Sequence, residues 1–218
     1  MSRQVSEVRS VAIVGQGGVG KTSVADALVF AAGGNNRLGR VDDETSLFDT
    51  EPEETRRRCS MSSSFHRLGW KKHEVAVIDT PGQGNFVLDA NFALRGAGAA
   101  VLVIDPTAPL RAETAKVWSW VREQGIPCIA FINRVDRPEV DIDGTLAAMK
   151  AMGIKAAALQ RPVGTGENFV GVAHILSGKA CTFEGLSGKF KVADAPEELA
   201  AELAEQRSTL IEDAAEGD

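Results

Sequence analysis

The sequence predicts an α/β fold: a mostly parallel sheet with helices on both faces, followed by a small β-rich unit and a helix. Three observations carry that prediction. As far as Met152, short apolar runs alternate with helix-like stretches, the order that builds a parallel sheet. Several of these runs end on a glycine or a polar residue, namely Gly15, Asp79, Asp105 and Asn133. On such sheets, ligands gather beyond the carboxyl ends of the strands. From about Ile154 the texture changes to short β-type runs punctuated by glycine.

Taken in order, Val8–Val14 (VRSVAIV) reads as a buried strand that ends at a glycine loop. Thr22–Ala32 places Val24, Ala27, Leu28 and Ala31 on one helical face, with Gly33 and Gly34 as the stop. Asn35–Ser64 is polar and weakly periodic and contains SLFDTEPEETRRRCSM. It is expected to be a mobile loop with short helical turns, and loops of that length are usually functional or disordered. Glu74–Ile78 is a strand running into Asp79, and Ala99–Ile104 is another, ending at Asp105-Pro106. Ala112–Gln124 is helical, with Ala115, Val117, Trp118 and Val121 available to cover a sheet. Pro127–Ile132 leads as a strand into Asn133, and Gly144–Met152 is again helical. AAALQRPVGTGENFVGVAHILSGKACTFEG then suggests a small meander. Pro196 opens an acidic helix whose Leu199, Leu203 and Leu210 are placed to dock. Two domains are expected, a nucleotide-binding core over 1–153 and an insertion subdomain with its helix over 154–218.

A chain of 218 residues is long enough for one substantial core and an appendage. Its net charge of −6 offers no general attraction to phosphate backbones, so direct nucleic-acid binding is not expected. MSRQVSEVRS lacks the apolar stretch of a secretory signal, and AAVLVID meets Asp105 too early to span a bilayer. A cytoplasmic protein without a membrane partner is expected. Cys59, Cys128 and Cys181 are far apart and lack metal-ligand spacing, as reduced thiols would. His66, His73 and His174 form no HxxxH pair, so hydrolysis by a metal alone has no support.

Gly15, Gly20, Lys21 and Thr22 satisfy GxxxxGK[ST] within GQGGVGKT, between a strand and a helix. This is the phosphate loop of P-loop NTPases. Glycines let the backbone curl until successive N–H groups point at phosphate oxygens, and the helix adds the positive end of its dipole. Gly15, Gly17, Gly18, Val19, Gly20, Lys21, Thr22 and Ser23 are the expected phosphate-binding residues. Lys21 reaches the β- and γ-phosphates, and the Thr22 hydroxyl is offered to Mg2+.

GGVGKT also occurs in deviant-loop ATPases, but these carry an extra lysine where Gln16 stands here. Asn133-Arg134-Val135-Asp136 fits the guanine-reading pattern NKxD, with arginine for lysine. An aspartate at that point accepts from the N1–H and N2–H of guanine, whereas adenine offers a lone pair at N1. Two charge-assisted bonds favour guanine by ~3–6 kcal/mol. Asn133 is expected to tie the base-reading loop to the phosphate loop, and Arg134 to stack over the base. GTP and GDP are therefore the expected nucleotides. Asp79-Thr80-Pro81-Gly82 follows a strand, so Asp79 is placed to hold a Mg2+-bound water and the Gly82 N–H to touch the γ-phosphate. Loss of that phosphate releases this segment and the loop before it.

From Val8 to Glu212 the sequence resembles the GTP-binding domain of elongation factor G, and more closely the elongation factor G-like proteins. The resemblance rests on GQGGVGKT, RRRCSM, DTPGQGNF and IPCIAFINRVDRP. PVGTGENFVGVAHILSGKACTFEG looks like the insertion subdomain peculiar to that factor, which elongation factor Tu and Ras-type GTPases lack. The resemblance implies a GTPase that acts on the ribosome and is stimulated by it. It also implies that Ser60 takes the place of the switch threonine, so that Thr22, Ser60 and Asp79 are the expected metal ligands. Lys21, Gly82 and Gln83 are the expected catalytic residues, with Gln83 orienting water where family translocases have histidine. Asn85 stands for aspartate, Cys59 for isoleucine and Gly18 for aspartate, which thins the apolar gate and implies slow intrinsic hydrolysis. The alternative is a GTP-binding regulatory module with negligible hydrolysis. The family's final core strand, its last guanine-contacting loop and its later domains are expected to be absent from this chain.

Overall fold

The computed structural model describes residues 4–185 and 190–216. The outer ends of the two expected domains, residues 1–3 and 217–218, and the segment 186–189 lie outside the described residues. The chain divides into two compact units, Met1–Asn133 and Arg134–Asp218. The division falls earlier than the change of sequence texture near Ile154, because the helix over Ile142–Ala151 clusters with the residues that follow it.

The first unit is built on a five-stranded sheet of order β2-β3-β1-β4-β5. Its strands are β1 (Val8–Val14), β2 (Ser64–Trp70), β3 (His73–Asp79), β4 (Ala99–Ile104) and β5 (Cys128–Ile132). All neighbours run parallel except β2, which pairs antiparallel with β3. The central β1 becomes fully buried towards its carboxyl end, where Ala12, Ile13 and Val14 are at 0% exposure. Helices α1 (Lys21–Ala31), α2 (Pro52–Arg57), α3 (Leu88–Gly96) and α4 (Ala112–Gln124) complete the unit. Helix α4 has the expected bounds and ends on a left-handed glycine, Gly125 at φ 62°.

Two elements depart from the sequence-based expectation. Strand β2 begins at the last residue of the expected loop and runs through a stretch for which the sequence predicts no element, and only Leu68 of its seven residues is buried. Helix α3 follows the glycine-rich turn with Val87 at its N-cap, so no polar capping residue announces it. The stretch from Asn35 to Ser64 is also more built-in than a mobile loop. It carries α2, buries Phe48 at 1% exposure, and packs that ring edge-on against His66. Phe48, Leu68, Val19, Val24, Val29, Ile13, Val77 and Val103 share one apolar cluster, so the loop and α1 close over one face of the sheet.

The second unit contains α5 (Ile142–Ala151), a four-stranded antiparallel sheet and α6 (Glu197–Glu216). Asp141 caps α5, its Oδ1 accepting from the Gly144 N–H at 2.8 Å. The sheet runs β6 (Gln160–Val163), β7 (Gly171–His174), β8 (Lys179–Phe183) and β9 (Phe190–Asp194) in order. Ala173, Ile175 and Ala180 bury against Leu203 of α6, with Leu199 and Leu210 packed at the margin. Among the described residues no helix is long and apolar enough to cross a membrane. The cysteines are all free.

Candidate functional site

Parallel strands place their carboxyl ends on one edge, and the register decides what meets there. Ile13 pairs with Asp79 across β1 and β3, so the carboxylate lies beside the entry to the phosphate loop. Thr80 reinforces that join by donating its hydroxyl to the Ile13 carbonyl at 2.8 Å. The loop then curls through left-handed backbone at Gly18 (φ 81°) and Gly20 (φ 90°), which L side chains resist. Val19 turns inward at 2% exposure and pins the loop to the apolar cluster. Gly20 caps α1, and Lys21 is the first helical residue. Ser23 is exposed on the first turn of α1.

Lys21 is buried, and its Nζ donates to the Gln16 carbonyl at 3.0 Å. Burial lowers its pKa to about 8, against the opposing pull of Asp79. Asp79 is at 0% exposure. Burial pushes its pKa up to about 6, opposed by the Thr22 hydroxyl and Lys21, while Asp49 adds to the rise. Asp79 Oδ2 accepts from Thr22 Oγ1 at 2.7 Å and from Ser60 Oγ at 3.3 Å, and the two hydroxyls are 3.1 Å apart. Asp79 Oδ1 is buried with no hydrogen-bond partner among the described residues. A buried carboxylate with a free oxygen beside two hydroxyls is a hard-oxygen donor set, which fits Mg2+. The neighbouring buried ammonium and loop N–H groups fit phosphate.

Gly82 is pressed against the phosphate loop: a Cβ there would lie 2.6 Å from the Gln16 carbonyl carbon and collide with Lys21 Nζ. Gln83 is exposed, and a Cβ on Gly17 would lie 3.3 Å from its Cγ. Asn133 leaves β5 and donates from Nδ2 to the Val19 carbonyl at 2.9 Å. Its approach also fills the space a side chain on Gly20 would need, since a Cβ there would sit 2.6 Å from that nitrogen. The first unit thus gathers Gly15–Ser23, Ser60, Asp79, Gly82, Gln83 and Asn133. Arg134 and Asp136 belong to the second unit. There Arg134 is left-handed at φ 59°, its carbonyl accepts the Arg137 N–H at 3.2 Å, and Asp136 is exposed.

Several buried polar residues near this site have structural roles that the sequence does not reveal. Gln16, at 3% exposure, accepts at Oε1 from Arg111 N–H (2.8 Å) and Thr114 Oγ1 (2.9 Å) and donates from Nε2 to Pro109 O (3.2 Å). It fastens the phosphate loop to the start of α4. Asp26 on α1 accepts the Leu47 N–H at 3.0 Å and is raised in pKa, mainly by burial. Asp49 is pushed up to about 6 by burial and by the nearby Glu54 and Asp26. Glu54, in α2, is a fully buried carboxylate. No local signal marks these groups, because their partners are remote in sequence or are backbone atoms.

The family profile of the Elongation factor Tu GTP binding domain matches residues 6–163. The chain is 31% identical to the mitochondrial ribosome-releasing factor 2 of Danio rerio, with 98% of it aligned to 29% of that protein. It is 29% identical to elongation factor G of Ureaplasma urealyticum, with 99% aligned to 32% of that protein. Among solved structures, a Thermus thermophilus protein superposes with a TM-score of 0.90 at 28% identity. That match covers 98% of this chain and 32% of the other. The chain thus spans about a third of the length of the relatives it matches.

Proposed function

The chain belongs to the family of the elongation factor Tu GTP-binding domain, and from that premise we propose that it binds and hydrolyses GTP as the nucleotide-binding part of an elongation factor G-like translation factor. The observation that carries this reading is the convergence of Thr22 and Ser60 hydroxyls on the buried Asp79 carboxylate, beside the buried Lys21.

In this reading the N–H groups from Gly15 to Ser23 receive phosphate oxygens, and Lys21 exchanges its contact with the Gln16 carbonyl for the β- and γ-phosphates. Thr22, Ser60 and Asp79 hold Mg2+, which when bound neutralises charge on the phosphates. Gly82 donates its N–H towards the γ-phosphate, and the exposed Gln83 swings in to orient the attacking water. Asp136 accepts from guanine, Arg134 covers the base, and Asn133 holds the phosphate loop by its carbonyl. Intrinsic turnover is slow, because Cys59, Gly18 and Gln83 give the water a poorly closed gate. The ribosome is the partner that stimulates it, in keeping with the names of the relatives.

Calorimetry with GDP and ADP in Mg2+ tests the nucleotide, with guanine expected to win by at least a hundredfold, about 3 kcal/mol. Equal affinity would overturn the assignment. Asp136→Asn is expected to trade guanine for xanthine preference. Gln83→Ala is expected to keep GDP binding and lower ribosome-stimulated hydrolysis; unchanged turnover removes Gln83 from the mechanism.

A further inference from the structure

Ser60, one of the expected metal ligands, sits on the connection between α2 and β2, with left-handed Arg58 (φ 52°) just before it. Its hydroxyl nevertheless stands 3.1 Å from Thr22 Oγ1 and 3.3 Å from Asp79 Oδ2. The group that brings it there is Glu54, whose side chain is 1% exposed although it lies in a polar, charge-rich segment. Glu54 Oε1 accepts the N–H groups of Met61 (2.8 Å) and Ser62 (3.1 Å) and the Ser62 hydroxyl (3.4 Å). Oε2 accepts the Glu51 N–H at 3.3 Å, and the Glu54 carbonyl accepts the Cys59 N–H at 3.2 Å. One residue therefore holds the chain on both sides of Ser60 and at the entry to α2. A second carboxylate continues the grip, since Asp89 Oδ2 on α3 accepts the Ser63 N–H.

Resting on the nucleotide reading above, we infer that Glu54 is a positioning residue that presents Ser60 to the Thr22–Asp79 pair and so sets the preference for triphosphate over diphosphate. The physical reason is the order of the contacts. Charge-assisted bonds to consecutive backbone N–H groups fix direction as well as distance. Their seat is the short helix α2, whose Glu53 pairs with Arg56 and Arg57. In the reading above Ser60 would face the metal where the γ-phosphate also meets it, so loosening Ser60 costs the triphosphate more than the diphosphate, which Lys21 and the phosphate loop hold without it. Asp89 joins the same segment to α3, the helix that follows the Gly82–Gln83 turn.

The test measures GDP and a non-hydrolysable GTP analogue on the full 218-residue chain and on Glu54→Ala and Glu54→Gln, in Mg2+. Glu54→Ala is expected to weaken the analogue by about tenfold or more, the worth of one charge-assisted hydrogen bond, while GDP stays within about threefold. Glu54→Gln keeps a carbonyl acceptor for Met61 and Ser62 and is expected to recover part of that loss. Trypsin gives an independent readout at Arg56, Arg57 and Arg58. The analogue is expected to protect these bonds in the parent chain and not in Glu54→Ala. An unchanged analogue-to-GDP ratio overturns the inference. So does a parallel fall of both nucleotides with a lowered melting temperature, which marks Glu54 as merely structural. If the parent chain binds neither nucleotide, the functional reading itself fails, a result separable from either outcome in the variants.

Discussion

Gln16→Met isolates the attachment of the phosphate loop to α4. The parent carboxamide serves three partners of unequal weight. Pro109 and Arg111 are exposed, so water replaces Gln16 at the Pro109 carbonyl and the Arg111 N–H for about 1 kcal/mol in total. Thr114 is different: at 1% exposure its hydroxyl is left buried and unpaired, a loss of about 1–3 kcal/mol. The sum is about 2–4 kcal/mol of stability. Adding Thr114→Val removes the orphaned hydroxyl and is expected to restore about 1–2 kcal/mol in the Gln16→Met background, though it destabilises the parent. The sign reversal is the signature, because apolar replacement of both partners is close to neutral where replacement of one is not. Urea unfolding read by tryptophan fluorescence is the assay, since Trp70, Trp118 and Trp120 all lie in the first unit. A loss below about 0.5 kcal/mol for Gln16→Met, or additivity within about 0.5 kcal/mol in the double variant, would refute the reasoning.

Asn133→Ala removes the bond to the Val19 carbonyl and is expected to lower GDP affinity about tenfold, measured by calorimetry. Gly82→Ala sets a methyl group against Lys21 Nζ and the Gln16 carbonyl carbon, so nucleotide binding is expected to disappear; near-parent affinity would contradict the described turn. Without nucleotide, Asp79 titrates near 6, so the stability it contributes in acid is lost as pH rises through that value. Lys21 titrates near 8, and the stability it contributes above its unfolded pKa of 10.5 is lost as pH falls through 8. These two groups give a stability minimum between about pH 6 and 8, checked by urea unfolding across about pH 4–10. A maximum in that window would contradict the burial of these two groups.

How much of this could be read beforehand follows from where each constraint lives. The bounds of strands β1 and β4 and helix α4 were legible residue for residue, because their apolar runs are long and their stops are marked. Of the α4 residues expected to cover the sheet, however, only Val117 and Val121 are buried, with Thr114 and Trp120 in place of Ala115 and Trp118. Strand β2 was not, since its burial rests on Leu68 and on His66 meeting Phe48 from a distant loop. Phosphate-binding geometry demands glycine and lysine at fixed offsets, so Gly15–Thr22 announced itself. Gln16 reads only as the place where deviant-loop ATPases carry lysine, because Pro109, Arg111 and Thr114 come close only through the parallel crossover. Glu54 was hidden for another reason: its partners are N–H groups, which every residue but proline carries. The Glu51–Glu54 pairing also lacks the serine or threonine that usually marks a capping box.

The pairing of Ile13 with Asp79 has a consequence for how such chains can lengthen. Strand register, and not the tether between α1 and β2, decides where the Asp79 carboxylate stands. Extra residues inserted at the exposed Asn36–Arg37 bend would change closure entropy only logarithmically and leave that alignment intact. A single residue deleted from β3 would instead turn the carboxylate to the opposite side of the sheet. Length is therefore negotiable in the connection and forbidden in the strand.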